Sequence, residues 1–456
     1  MSSLSRLRQN TFVRSVSVLV GGTAFAQAIL VLILPILTRL YTPNDFSVLA
    51  VYAGLLGVIS VVACLRFDIA IPLPERDEDG ANLMALALFF AVAVSSLIAI
   101  PCLFAPHWTA DILNQPALES YLWILPFGVF LMSAYSALQF WVMRQKKFKI
   151  IARTRMTQAV SGAGAQLGFG WIGLTPLGLI VGQTISNGAG ALGLGWHTWR
   201  GSRDLVEKVN FMEMRRIFKE YDRFPKYSSL ESFANNAAIH IPVLIIAAAA
   251  LVPEAGYLAL AMRVMQAPMG LIGGAIGQVY LSRAPEEYRS GRLGSFSANI
   301  LGGLMRTGVG PLIFAGIVAP TVFAFVFGPS WGRAGVLVAW MTPWFIFQFL
   351  ASPISMALHV TNNQKKAFLL QFFGLLLRVG GVVAAIQFYR SGVAEAYAVT
   401  GFVFYLIYLT LLLKIVRCTQ SDVILQMKKA LVFILPWCAG GIVFNLIFGM
   451  IVNGLH

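Results

Sequence analysis

Runs of about twenty apolar residues recur from one end of the chain to the other. They lie near residues 15–38, 46–65, 82–104, 120–143, 155–173, 175–198, 228–251, 256–281, 297–327, 334–359, 367–389, 393–416 and 429–452. Crossing the hydrocarbon core of a bilayer takes roughly 20 residues of helix. A segment in lipid must satisfy its own backbone N–H and C=O groups, and an α-helix does so within one run. The expectation is an all-α polytopic membrane protein with about thirteen transmembrane helices. Composition agrees, with 58% hydrophobic and 12% charged residues, where a soluble domain carries roughly 25% charged. The first run follows a basic segment, Met1–Arg14. It is too long for a signal-peptide core and is expected to remain as the first span.

The net charge of +15 would suggest nucleic acid in a soluble protein. Here the positions of the charges decide otherwise. If the N-terminus is cytoplasmic and the spans alternate, 28 of the 34 Lys and Arg fall in cytoplasmic segments. Arg39, Arg333 and Arg390 fall on the other side, and Arg263, Arg306 and Arg378 lie inside spans. That bias is the one expected of a multi-pass protein of a bacterial inner membrane, and no nucleic-acid partner is called for. Cys64, Cys102, Cys418 and Cys438 are scattered, with no CxxC pair, so neither a disulfide framework nor a zinc site is indicated.

Residues 1–199 read as an N-terminal six-helix lobe and 228–417 as a C-terminal one, with 418–456 an extra helix. Between the lobes, residues 200–227 form a basic cytoplasmic linker. Leu205, Val209, Met212, Ile217 and Phe218 could give it an amphipathic helix on the membrane surface; a solvated basic linker is the alternative. A faint repeat supports two lobes. Pro126-Phe127 precedes Gln145-Lys146-Lys147-Phe148, and Pro343-Trp344 precedes Gln364-Lys365-Lys366-Ala367-Phe368, with Pro-to-Gln separations of 19 and 21. The copies are six spans apart, so both face the same way, as in parallel repeats.

The polar residues inside the spans carry the chemistry. An arginine at a helix centre costs about 2.5–3.5 kcal/mol on the insertion scale. Arg263, Arg306 and Arg378 are therefore expected either to face a wet cavity or to be satisfied by snorkelling or a helix-end carbonyl. Facing a cavity, the planar guanidinium suits a phosphate, because it donates two hydrogen bonds at once. Glu231 is the carboxylate best placed in its span, either to neutralise an arginine or to bind a coupling ion. Asn235, Asn236 and His240 continue that helix, Asn235 one turn beyond Glu231. Gln27 with Thr23, and Gln278, are further polar positions whose default role is interhelical hydrogen bonding. Glycines crowd the fifth and eighth runs, where they allow close helix approach. No phosphate-cradling loop ending in GK[ST] and no HExxH spacing occurs, so no ATP site, metal or cofactor is expected.

Several segments resemble one family. The opening holds Gly21-Gly22-Thr23, Ala26-Gln27 and Leu37-Thr38-Arg39-Leu40-Tyr41-Thr42-Pro43-Asn44-Asp45-Phe46. Leu65-Arg66-Phe67-Asp68, Arg144 to Phe148, and Ala261-Met262-Arg263 followed by Pro268, Leu271-Ile272 and Gly277-Gln278-Val279 continue the pattern. Together they resemble the Wzx-type O-antigen and polysaccharide flippases of the multidrug/oligosaccharidyl-lipid/polysaccharide (MOP) exporter superfamily. The resemblance implies two six-helix lobes around a central cationic cavity and no enzymatic activity. It implies translocation of an undecaprenyl-pyrophosphate-linked oligosaccharide from the cytoplasmic to the periplasmic leaflet. It adds Arg66 and Arg263 as cavity or gate residues; Arg306 and Arg378 are expected to join them from burial alone. Expected partners are the lipid-linked glycan, membrane lipids and the polysaccharide polymerase and chain-length machinery. Two alternatives stay open: a drug/cation antiporter of related fold, and a non-transport subunit of a glycan-assembly complex.

Overall fold

The computed structural model describes residues 18, 21–201, 203–249, 253–361 and 363–454. Helices divide by packing into two compact units, residues 1–250 and 251–456. In the first unit six long helices follow in order: α1 (Gly21–Leu40), α2 (Pro43–Ala63), α3 (Asp77–Phe104), α4 (Ile124–Arg144), α5 (Phe148–Trp171) and α6 (Leu177–Gly201). A short helix α7 (Phe211–Glu220) and a long α8 (Ser229–Ala248) complete it. The second unit holds α9 (Glu254–Arg289), α10 (Leu293–Phe327), α11 (Gly332–Ile354), α12 (Gln364–Phe388), α13 (Val393–Ile415) and α14 (Gln420–Gly454). The long helices coincide with the thirteen apolar runs. Among the described residues, ten are both long and apolar enough to cross a membrane.

Local chemistry sets the breaks. At the start of α2, Thr42 and Asp45 form a capping box: Thr42 N–H donates to Asp45 Oδ2 at 2.8 Å, and Asp45 N–H to Thr42 Oγ1 at 3.3 Å. Between α5 and α6 the chain turns at Gly173, whose φ of +79° a side chain would resist. This tight turn separates the fifth apolar run from the sixth. In α10 a π-helical turn, Met305–Val309, interrupts the ladder just before Pro311. Pro311 has no N–H for the carbonyl four residues earlier, so the break falls one turn ahead of it. The shared prolines of the repeat sit at different depths, Pro126 near the start of α4 and Pro343 in the middle of α11.

Helix α8, read from sequence as the first of the second lobe, packs within the first unit. Gly54 and Gly57 of α2 make this packing possible. A Cβ at Gly57 would lie 2.5 Å from His240 Nε2, and one at Gly54 3.0 Å from Leu244 Cδ2. The loop before α4 caps the far end of α8: Gln115 Nε2 donates to Ala247 O at 2.7 Å, and Asn114 Nδ2 to Ala248 O, satisfying last-turn carbonyls.

Helix α7 lies in the basic linker and packs one side of itself on the first unit. Its Ile217 is fully buried in the core of the first unit with Phe67, Leu86 and Trp141, and Phe218 stacks near Phe67 and Phe90. Arg216 pins the helix to α3 through Asp79, while Glu213 and Glu220 each accept from it at 2.8 Å. Ile217 and Phe218 therefore dock on α3, while Phe211 and Met212 of the same helix stay exposed. Close by, Arg144 donates to the carbonyls of Ile71 (3.0 Å) and Pro74 (2.7 Å) and to Asp77 (2.9 Å), holding the α2–α3 connection against α4.

In the second unit Arg333 clamps three helices, bonding Glu254 at 2.9 Å and Glu395 at 2.6 Å. The thirteenth long helix, α14, lies along α10. Gln426 Nε2 donates to Asn299 Oδ1 at 3.0 Å and Asn445 Nδ2 to Ile317 O at 2.8 Å.

Candidate functional site

Two polar cavities open among the apolar helices, one in each unit. The first, of about 270 Å³, lies between α1, α4, α5 and α6. Each helix offers it a short polar stripe: Thr23 and Gln27 from α1, Tyr135 and Gln139 from α4, Arg155 and Gln158 from α5, and Ser186 from α6. Within each pair the residues are three or four apart, the spacing that puts two side chains on one helix face. Arg155 is the charged member. Its Nη1 donates to Thr23 Oγ1 at 2.7 Å, and it is hydrogen-bonded to the Tyr135 hydroxyl. Ser186 Oγ donates to the Gln158 carbonyl at 3.0 Å. Among the described residues no carboxylate lines this cavity. The guanidinium is thus oriented by neutral partners.

Of these residues the sequence singles out Gln27 and Thr23. It assigns Arg155 to a cytoplasmic segment, because the apolar run begins there. The helix itself begins at Phe148, so Arg155 lies two turns inside it. The early start follows from the end of α4, where Lys146 adopts a left-handed φ of +57° and the chain reverses within three residues. Polar pairs at helical spacing, Tyr135 with Gln139 and Arg155 with Gln158, were the available signal.

The second cavity, of about 440 Å³, lies between α9 and α11. Gln266, Gly270, Gly273 and Gly277 line one wall, and Gln348 and Ser352 the other. Arg263 stands one turn before Gln266, on the same stripe. It is half-buried and has no ion-pair partner among the described residues. Gln278 lies on α9, but its side chain is outside the described residues.

The remaining candidates are dispersed. Arg306 sits in the π-helical turn of α10, exposed on the outside of its unit, with Nε donating to Gly302 O at 3.0 Å. Arg378 is 1% exposed and lines neither cavity. Its guanidinium lies 4.4 Å from the Phe404 ring centroid, 5.3 Å from Tyr405 and 5.5 Å from Trp344, and it hydrogen-bonds the Tyr405 hydroxyl. Arg66, half-buried, follows Leu65 in a second consecutive left-handed conformation, φ +60° after +48°, a strain of order 1–2 kcal/mol per residue. Two residues on, Asp68 is 3% exposed and accepts from Ser136 Oγ at 2.6 Å. This buried carboxylate the sequence reading did not single out. Glu231, Asn235 and Asn236 are half-buried on α8; Asn236 Nδ2 bonds back to Ser232 O at 2.9 Å. Glu231 forms no ion pair among the described residues.

Solved structures share this fold at low sequence identity. The lipid II flippase MurJ, in an inward closed conformation, aligns with a TM-score of 0.63 and 13% identity over 97% of this chain and 98% of its own. A eukaryotic MATE transporter aligns at 0.61 and 14%, over 92% and 98%. An inward-facing multidrug resistance MATE transporter of the MOP superfamily aligns at 0.55 and 15%, over 88% and 96%. A search of curated protein sequences finds no match. The family described as polysaccharide biosynthesis protein matches residues 36–336. With well over half its length matched, the chain belongs to that polysaccharide biosynthesis family, and it is built on the fold of the MOP-superfamily transporters and flippases.

Proposed function

We propose that the protein moves an undecaprenyl-pyrophosphate-linked oligosaccharide from the cytoplasmic to the periplasmic leaflet of a bacterial inner membrane. The observation that carries this reading is Arg155, a guanidinium held by Thr23 and Tyr135 in a polar cavity free of carboxylates. Sugars and pyrophosphate do not cross hydrocarbon unaided, because stripping their hydration without replacement costs several kcal/mol per polar group. A polar stripe supplies replacement hydrogen bonds, and an arginine adds charge without needing a counter-ion from the protein. Arg263, on the Gln266 stripe of the other unit, is a second cation of the same kind. The prenyl tail stays in lipid while the head group passes, and rocking of the two units gives alternating access. Delivery on the periplasmic side suits a polymerase and chain-length machinery as the next partners.

A drug/cation antiporter calls for the opposite electrostatics. Arg155 raises the energy of an organic cation in the first cavity, and no carboxylate lines the wall to offset it.

The test is export in cells. Arg155→Ala and Arg263→Ala proteins, present in the membrane at normal level, should leave lipid-linked oligosaccharide in the cytoplasmic leaflet and surface glycan reduced at least ten-fold. Normal surface glycan from both variants overturns the proposal.

A further inference from the structure

A further cavity of the second unit lies away from both polar stripes. It measures about 590 Å³ and sits where the first turns of α12 meet the last turns of α13. Lys366, Lys414 and Arg417 rim it, and Leu369, Leu370, Leu411 and Ile415 form its wall. Three cations thus stand over an apolar cleft at the boundary of a spanning segment. None of the three has an ion-pair partner among the described residues.

The backbone at Arg417 adds an independent observation. Helix α13 ends in a Schellman motif: Cys418 N–H bonds Leu413 O at 2.9 Å, and Arg417 N–H bonds Lys414 O at 3.1 Å. The residue between helix and exit takes φ +58°, a conformation in which glycine is the usual residue. Here an arginine occupies it and brings its side chain to the cavity rim. Below the rim, α12 presents Leu369, Phe372, Phe373 and Leu376 to the outside, an apolar stripe at helical spacing that runs about 10 Å down the helix.

We propose that this cavity binds the head group of an anionic phospholipid, with the phosphate held by Lys366, Lys414 and Arg417 and an acyl chain lying along the α12 stripe. The cations fit a phosphate, and the wall and stripe fit a hydrocarbon chain. A free anion such as inorganic pyrophosphate shares only the first feature. Basic pockets between membrane helices at their cytoplasmic ends recognise acidic lipids on the same grounds. This site is independent of the export reading, since neither polar cavity contributes to it.

Native mass spectrometry of the detergent-solubilised full chain, titrated with phosphatidylglycerol, cardiolipin or phosphatidylcholine, tests it. The acidic lipids should bind at least ten-fold tighter than phosphatidylcholine. At about five-fold per charge, Lys366→Gln with Lys414→Gln should weaken the acidic lipids roughly thirty-fold. Arg417→Gly, which relieves the left-handed strain and should fold at least as well, should weaken them about five-fold. Lys365→Gln, an exposed neighbour off the rim, should change nothing. Equal binding of phosphatidylcholine, unchanged binding in the double variant, or inorganic pyrophosphate matching the lipids would each overturn the proposal.

Discussion

Arg155 and Arg378 show why burial alone does not define a binding residue. Both are arginines within long helices of an apolar chain. Arg155 opens onto a cavity and is held by hydroxyls, whereas Arg378 is enclosed by three aromatic rings. Packing of a cation against ring faces is worth up to about 2 kcal/mol when desolvated, and truncation there also leaves a void. Arg378→Ala is therefore expected to lower the thermal midpoint and the membrane level, with a loss of about 3 kcal/mol or more in stability. Export per folded molecule should stay near normal, and a protein of full stability without export would contradict this assignment. Outside the spans, His107 lies 3.3 Å from Glu119 and 3.5 Å from Asp111. The hydrogen bond to Glu119, and then the charges of Asp111 and Glu119, raise its imidazole above the ordinary 6.5. A raised folded-state value means the interaction is complete below the ordinary histidine value and is lost as pH rises through the raised one. Protection against hydrogen exchange over residues 106–121, after correction for the intrinsic base-catalysed rate, should fall across that upper window, and His107→Gln should remove that fall.

The thirteen long helices were legible because hydropathy over twenty residues is a strong signal. The helices α5, α6 and α9 fall below the others in hydropathy because they carry the cavities: Arg155 and Gln158, Ser186, and Gln266 beside Arg263. The polar clusters were not legible as clusters, since each helix contributes only one or two residues and their meeting depends on which faces pack. Similarly, the apolar side of α7 was visible in Ile217 and Phe218, but not that α3 would cover it. Glycines behave the same way. Along α5 and α6 the sequence shows a crowd of them, and only packing tells which are needed. A Cβ at Gly182 would strike Gln166 Cγ and come within 3.1 Å of the Gln166 backbone nitrogen and the Gly162 carbonyl, whereas at Gly168 nothing lies within 4 Å. Gly182→Ala should destabilise by about 1–3 kcal/mol through overpacking. Gly168→Ala should be neutral or stabilise by up to about 1 kcal/mol through helix propensity. Thermal midpoints of the two variants in the same detergent separate these cases, and equal midpoints would refute the packing of α5 on α6.

At the scale of the whole molecule, fold and direction are separate questions. Helix packing is indifferent to which end faces the cytoplasm, and low-identity structural neighbours share only the fold. Direction rests on charge: with Arg155 set aside as a cavity residue, 27 of the 34 basic residues still fall on one side of the alternating spans, and loops rich in Lys and Arg are retained in the cytoplasm. The same side carries the Arg144 and Arg216 anchors that fix the α2–α3 connection and α7, and the Lys366, Lys414 and Arg417 rim. A periplasm-active phosphatase fused after Ser391, between α12 and α13, should therefore be active, and one fused after Glu207, between α6 and α7, should be silent. A cytoplasm-active reporter should give the reverse pattern. The interval between these sites contains five long helices, α8 to α12, an odd number, so the two positions must lie on opposite sides if each of them crosses. Activity at both sites would mean that one of the thirteen long helices does not cross. The natural suspect would be α9, whose 36 residues exceed the bilayer and include Arg263 and Gln266. Activity at Glu207 alone would invert the orientation and place the anionic-lipid rim in the outer leaflet.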